Sequence, residues 1–409
     1  MKNIVGSCCL VLAFICMAAP IQAQESWTDQ LSDAVTQGKV SLDFRYRFEH
    51  VDQENFSKNA NASTLHSRIT LASAPLSGFS ALLEFDDVST LGTNDYNSTE
   101  NGKTQYPVIA DPTGTDFNQA WIQYAGQGYW GQYGRQRILY GNQRFIGGVA
   151  WRQNEQTFDG FRANWHPSQS LKLDLSYVYN VSRIFGPDDG SNPADLKGEN
   201  YFFRADYQVV AGHTLIGYGY WLDFDLDRDF AAGATVNKSS DTLGVKYRGA
   251  FDWLSVAAAY ATQTEAGTSE LNYDADYWLL ELGATYQSIN LTVGYEVLGA
   301  GDGVGFQTPL ATLHGFQGRA DKFLTTPDDG VEDFYLGANG KVGPVKLTAV
   351  YHDFQAEDSH EKYGTEWDLA VSWPLHKYVT VSGHYAVFSA DSERYDDTEK
   401  VWFTTQLKF

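Results

Sequence analysis

Cysteine is nearly absent from this 409-residue chain, and its 3 copies, Cys8, Cys9 and Cys16, all fall at the amino terminus. Lys2, the apolar stretch Leu10 to Ala19 and the small-residue end Ile21-Gln22-Ala23 read as a signal peptide (residues 1–23) cleaved after Ala23. The mature chain then carries no thiol, which excludes disulfides, Cys-ligated zinc or iron–sulfur centres and cysteine nucleophiles. Bulky Ile15 before Cys16 argues against lipid attachment there. Cations are also scarce: Lys+Arg 29 against Asp+Glu 51 gives a formal net charge of -22, a balance that repels nucleic acid. Long apolar runs are missing as well. A spanning helix needs about 20 consecutive apolar residues, and no stretch reaches that length, so a helical membrane protein is excluded.

Aromatic residues (15%) and 38 Gly are abundant where Met is limited to 2, a balance that favours short strands over a helical core. From Lys39 to Phe409 the chain alternates apolar and polar residues over segments of about ten. In the first, Leu42, Phe44, Tyr46 and Phe48 interleave with Asp43, Arg45, Arg47 and Glu49. About 18 such segments follow one another, longer than the strands of a soluble sandwich. The expected fold is all-β: a transmembrane antiparallel up-and-down barrel over residues 39–409, preceded by a periplasmic leader, 24–38.

The connections add independent support. Short turns such as Ala74-Pro75-Leu76-Ser77, Gly249-Ala250, Gly343-Pro344 and Pro374-Leu375-His376-Lys377 alternate with long polar loops such as 88–115, 139–156, 183–198, 225–240 and 299–330. Outer-membrane barrels have this asymmetry, with short periplasmic turns and long extracellular loops. An open edge would strand unpaired N–H and C=O groups in hydrocarbon, so the sheet must close. The last strand alternates Val401, Phe403, Thr405, Leu407 and Phe409 and ends on Phe, as the insertion signal read by the barrel assembly machinery does.

A barrel of this strand number is too wide for side chains to fill, so inward residues line an aqueous passage. With apolar residues facing lipid, the opposite parity sends Arg45, Arg47, Arg68, Arg135, Arg137, Arg162, Arg204, Lys246 and Arg248 inward, mixed with Asp43, Glu49, Glu84, Asp86, Asp206, Glu281 and Glu296. Guanidinium forks on a wet wall can pair with carboxylate or sulfate and still release it. The alternative role is transverse ion pairing that keeps the barrel round. The stretch 141–159, with Arg144 and Arg152 among small and aromatic residues, is too apolar for water and is expected to fold into the lumen as a constriction. The segment 306–324, with Arg319, Asp321 and Lys322, should pack inward or cap the mouth.

Gly134-Arg135-Gln136-Arg137-Ile138, Asn142-Gln143-Arg144-Phe145, Trp151-Arg152-Gln153-Asn154 and Gln156-Thr157-Phe158-Asp159 resemble the alginate-export family of outer-membrane proteins. So do Thr308-Pro309-Leu310-Ala311-Thr312-Leu313-His314 and Ala320-Asp321-Lys322-Phe323-Leu324. The resemblance implies an 18-stranded barrel in the bacterial outer membrane whose arginine-lined channel passes an anionic polysaccharide. Read from the residues, the function is passage of an anionic solute or a uronate polymer, which the resemblance implies is alginate-like, with a general diffusion porin for small hydrophilic solutes as the alternative.

An outer-membrane hydrolase is the remaining class, resting on His384 near Ser382 and His352 beside Asp353. No cofactor is expected. The one candidate metal site is the ladder Asp223, Asp225, Asp227 and Asp229, whose carboxylates share a face in extended chain, where calcium binds. Trp27, Leu31 and Val35 give the leader helical spacing, with a disordered leader as the alternative. Expected partners are membrane lipid and lipopolysaccharide, the barrel assembly machinery, the anionic solute or polysaccharide, and periplasmic proteins.

Overall fold

The computed structural model describes residues 26–225 and 238–409; the expected signal peptide 1–23, Asp227 and Asp229 lie outside them. After helix α1 (Trp27–Thr36) come β1 (Lys39–Gln53), β2 (Ala60–Ala72), β3 (Phe79–Asp95), β4 (Gly114–Gly126), β5 (Tyr129–Gln136) and β6 (Thr157–Trp165). Then follow β7 (Leu171–Ser182), β8 (Asp195–Val210), β9 (His213–Leu222), β10 (Ser240–Phe251), β11 (Leu254–Glu265), β12 (Asp274–Tyr286) and β13 (Ile289–Leu298). A small hairpin, β14 (Ala300–Gly301) and β15 (Val304–Gly305), sits inside the next loop. The wall resumes with β16 (Val331–Val342), β17 (Val345–Gln355), β18 (Lys362–His376), β19 (Val379–Ala390) and β20 (Thr398–Lys408).

These elements form one 18-stranded antiparallel sheet in which each wall strand pairs with its chain neighbours and β13 pairs with β16. The ladder from Asp43↔Lys408 to Gln53↔Thr398 joins β1 to β20. Leu42 and Phe409 then exchange both backbone bonds, at 3.2 and 2.9 Å, and complete the seam. No wall strand keeps a free edge, as hydrocarbon requires.

Outward parity carries the apolar residues. Leu280, Leu282, Leu291 and Val293 stand exposed on the outer face of β12 and β13. Aromatic pairs bracket this belt: Phe79–Tyr124 (4.8 Å between centroids) and Tyr378–Phe409 (5.2 Å) at the turn end, Tyr133–Phe161 (4.3 Å) and Tyr351–Trp367 (5.1 Å) towards the loops. Amphipathic rings at these levels fit the two water–lipid interfaces.

Two turns sit further along than the sequence suggests. The β10–β11 ladder continues through Ala250↔Ser255 and Phe251↔Leu254, so the reversal falls at Asp252-Trp253 rather than Gly249-Ala250. Pro374 lies within β18 beside a register shift, a place where its missing N–H is tolerated. At the β16–β17 reversal Gly343 adopts φ 58°, left-handed backbone that suits glycine. Strands also outrun the apolar alternation at the loop end: β3 extends to Asp95, beyond the expected Phe85. Above the lipid the outer face has no need of greasy residues while the ladder still gains from pairing. The leader contains α1, with Ser26 as N-cap and a backbone bond from Ala74 N–H to the Ala34 carbonyl (2.8 Å) tying it to the β2–β3 turn.

Leu280→Arg, at a lipid-facing position 52% exposed, should destabilise the inserted barrel by about 2–4 kcal/mol in urea-dependent refolding into bilayers. A polar substitution at the neighbouring inward Glu281 should shift the same titration far less.

Candidate functional site

The bore is not open across its width. Residues 137–156, between β5 and β6, and residues 299–330, between β13 and β16, bend into it and bind each other. Gly147 N–H donates to the Leu310 carbonyl (2.9 Å), Thr312 N–H to the Gln143 carbonyl (3.0 Å) and the Gln156 amide to the Leu310 carbonyl (3.1 Å). Trp151 stacks on His314 with ring centroids 4.2 Å apart. Phe145 lies against Tyr218, Tyr220, Tyr277 and Phe306, so the first loop is packed by an aromatic cluster from the inner wall and the second loop. The constriction expected of 141–159 and the inward packing of 306–324 are both present.

The predicted cations fasten these loops. Arg144, 3% exposed, donates to Glu296 on β13 (2.9 Å) and to Thr308 and Gln317 of the second loop (3.3 and 3.2 Å). Arg152 joins Glu49 (3.0 Å) and Asp321 (3.3 Å), and Lys400 also holds Asp321 (2.8 Å). Arg45 donates to Gln153 (2.9 Å) and to the carbonyls of Ala150 (2.8 Å) and Arg152. Arg47 donates to the Trp151 carbonyl (2.5 Å) with its guanidinium 4.4 Å from the indole centroid. Arg68 and Arg137 converge on Glu155 (2.8 and 2.6 Å) and share Glu84, with Asp86 completing the Arg68 fork (2.6 Å). Arg162 pairs with Asp174 (2.9 Å) and Arg204 with Asp206 (2.9 Å).

Arg135 is a correction. It shares its sheet face with the exposed Tyr133 and forks onto Asp159 (2.8 and 3.0 Å), which Asn180 also bonds (3.0 Å). Parity along β5 sends Tyr129, Tyr133 and Arg135 outward together; Arg137 turns inward only because the strand ends at Gln136. The inference from apolar-outward parity also missed the inner aromatic wall. Ile216, Tyr218, Tyr220 and Leu222 of β9 are buried on the lumen side, under the loops. The alternation there was legible but is apolar on both faces. Glu155, the carboxylate that gathers Arg68 and Arg137, was hidden because it lies on a loop with no period.

Lys246, Arg248 and Arg319 form no ion pair among the described residues. Arg319 reaches the imidazole of His384 (2.7 Å) instead. Lys246 and Arg319 line a cavity of about 390 Å³ beside the loops, together with Asn142, Phe316, Tyr335, Asn339 and Thr348. Glu281 and Asp333 share that wall, with Tyr335 donating to Glu281 (2.7 Å) and His352 bonding Asp333 (2.9 Å). Asp223 and Asp225 lie at the loop end, and among the described residues no three His, Cys, Asp or Glu converge as a metal site would.

The second loop holds a proton-sensitive contact. Burial pushes the His314 imidazole down to about 4 despite Asp321, 2.7 Å from its Nδ1, and its Nε2 has no partner. Burial would raise Asp321, but Lys400, His314 and Arg152 outweigh it and hold that carboxyl below the ordinary carboxylate range. Neutral His314 therefore donates Nδ1–H to a charged Asp321.

The sequence profile of the alginate-export family matches residues 37–318. No curated protein matches the chain. Among solved structures, Pseudomonas aeruginosa OccK3 (OpdO) superposes with a TM-score of 0.68 at 12% identity, covering 94% of this chain and 99% of its own. Acinetobacter baumannii OccAB2 gives 0.69 at 12% identity, with 92% and 99% coverage. Pseudomonas aeruginosa OpdK, solved with vanillate, gives 0.69 at 14% identity, again with 92% and 99% coverage. At such identity the likeness is one of fold.

Arg144→Ala strands Glu296 without its cation and should cost about 3–5 kcal/mol, read as a lower unfolding midpoint together with larger, noisier single-channel currents as the loops detach. Acid should act in the same direction. The folded His314 takes up its proton near 4, below the ordinary 6.5, so attachment is full above about pH 6.5 and weakens as pH falls towards 4. Conductance should rise reversibly across that window, and a flat profile would contradict the assignment.

Proposed function

The chain belongs to the alginate-export family, and on that premise we propose that this outer-membrane channel passes anionic, hydroxyl-bearing solutes of uronate type past Lys246 and Arg319. The observation that carries the reading is the division of labour among the lumen cations. Arg45, Arg47, Arg68, Arg162 and Arg204 on the wall and Arg137, Arg144 and Arg152 on the first loop are neutralised by carboxylates or by loop carbonyls, so their charge goes into architecture. Lys246 and Arg319 face the cavity without a carboxylate in ion-pair contact, among amide and hydroxyl groups from Asn339, Thr348 and Asn142 suited to a sugar acid. Contacts of this kind, in a hydrated passage, hold an anion weakly enough to let it go.

The cavity is sized for a monomer or short oligomer. A continuous polysaccharide would require the two loops to swing away from Glu49, Glu296 and Lys400. Short acidic sugars are therefore the preferred cargo in the state described, with an alginate-like polymer reserved for an unlatched state. General diffusion of small hydrophilic solutes is the second reading, favoured by Glu281, Asp333 and Asp368 on the same wall, which give the passage a mixed charge. Lipopolysaccharide and phospholipid surround the outer face, and β20, ending next to Phe409, is the strand we assign to recognition by the assembly machinery.

Lys246→Gln combined with Arg319→Gln should lower the anion-to-cation permeability ratio severalfold, measured from reversal potentials in gradients of potassium chloride, gluconate and galacturonate. Unaltered reversal potentials would favour the general porin.

A further inference from the structure

Directly below the cavity, on the side of the short turns, the inward cations Arg248, Lys341 and Lys346 stand with no ion-pair partner among the described residues, as do Lys39 and Lys172 further round the same rim. Each of the first three occupies the next inward position beneath a cavity-lining residue of its own strand, Lys246, Asn339 and Thr348 respectively. Two residues of strand put them about 7 Å further down. All three are exposed. Lys341 and Lys346 are directly opposite each other in the β16–β17 ladder, an arrangement of like charges that costs the sheet stability and that no neighbouring acid relieves. The carboxylates at this end are engaged elsewhere or lie off the inner wall: Asp43 binds Lys408 and Gln406, and Asp206 binds Arg204. Asp252 sits in a turn, and Asp29 and Asp33 on α1. At the opposite end the loops carry tandem acids, Asp188-Asp189, Asp328-Asp329 and Asp396-Asp397.

Resting on the channel reading above, we infer that Arg248, Lys341 and Lys346 form a basic collar at the periplasmic mouth that captures anionic solute from the periplasm and hands it up to the cavity. The chain's charge is thereby sorted along the barrel axis. An anion arriving from the periplasm meets positive potential at the entrance, whereas one arriving from outside must first pass the acidic loops. Such fields change encounter rates by tenfold or more and fade as salt shortens their reach below about 8 Å. Equilibrium across the pore is unaffected; the rate of capture differs between its two faces.

The test is one-sided addition of trigalacturonate to single channels in planar bilayers, with orientation reported by streptavidin binding to a biotin in an extracellular loop. At low salt the blockade on-rate from the periplasmic side should exceed that from the extracellular side by about tenfold. The two rates should converge in 1 M salt (Debye length about 3 Å), and Lys341→Gln with Lys346→Gln should bring their ratio close to one. Equal on-rates in the unmodified protein, or an excess from outside, overturn the collar while leaving anion passage intact. A ratio that survives high salt also overturns it, whether or not the double variant folds. Blockades from neither side, with no anion preference in the reversal potential, refute the anion-passage reading and the collar together.

Discussion

The structure depends on the demand that every backbone N–H and C=O inside hydrocarbon find a partner in the chain itself. A sheet meets that demand only by closing, and the β1–β20 ladder with the Leu42–Phe409 exchange does so. Closure fixes side-chain parity around the whole circumference: one face in acyl chains, the other enclosing a bore that eighteen strands make too wide to fill from the wall. The two inward loops answer that geometric surplus. They are held as a protein interior is held, by rings around Phe145 and by buried arginines paired with carboxylates of wall and loop.

Burying so many charges is tolerable because almost none is alone. Arg144 with Glu296 and Arg152 with Glu49 and Asp321 sit deep among loop and wall, and each guanidinium meets an acid plus further acceptors. Pairs of this sort contribute little net stability over an apolar core of the same shape, but losing one partner is costly, so they fix loop position more than they add strength. What remains unpaired is therefore informative. Lys246 on the wall and Arg319 on the second loop form no ion pair among the described residues, and both border the cavity beside the loops.

Much of the fold was legible in the alternation. Leu42, Phe44, Tyr46 and Phe48 identify a lipid face without any structure, and turn and loop lengths identify the two ends. The reading lost accuracy where its physical premise lapsed. Above the membrane, β3 continues to Asp95 without a greasy face, so its length could not be seen. On β9 the inner face is apolar because loops cover it, and on β5 an arginine points outward at the level of the loop-side rings. The candidate site was legible as a set of inward cations but not as a set of pairs. Which acid each guanidinium meets depends on the register between strands and on loop residues such as Glu155 and Gln153, and neither follows a period.

The aromatic cluster beneath the first loop has a consequence for biogenesis. Phe145 finds Tyr218, Tyr220, Tyr277 and Phe306 only after β9, β12 and the second loop have been brought round to face β5. The obstruction of the bore is thus tied to the wall itself, because the first loop finds its full set of rings only when strands far apart in the chain already stand opposite one another.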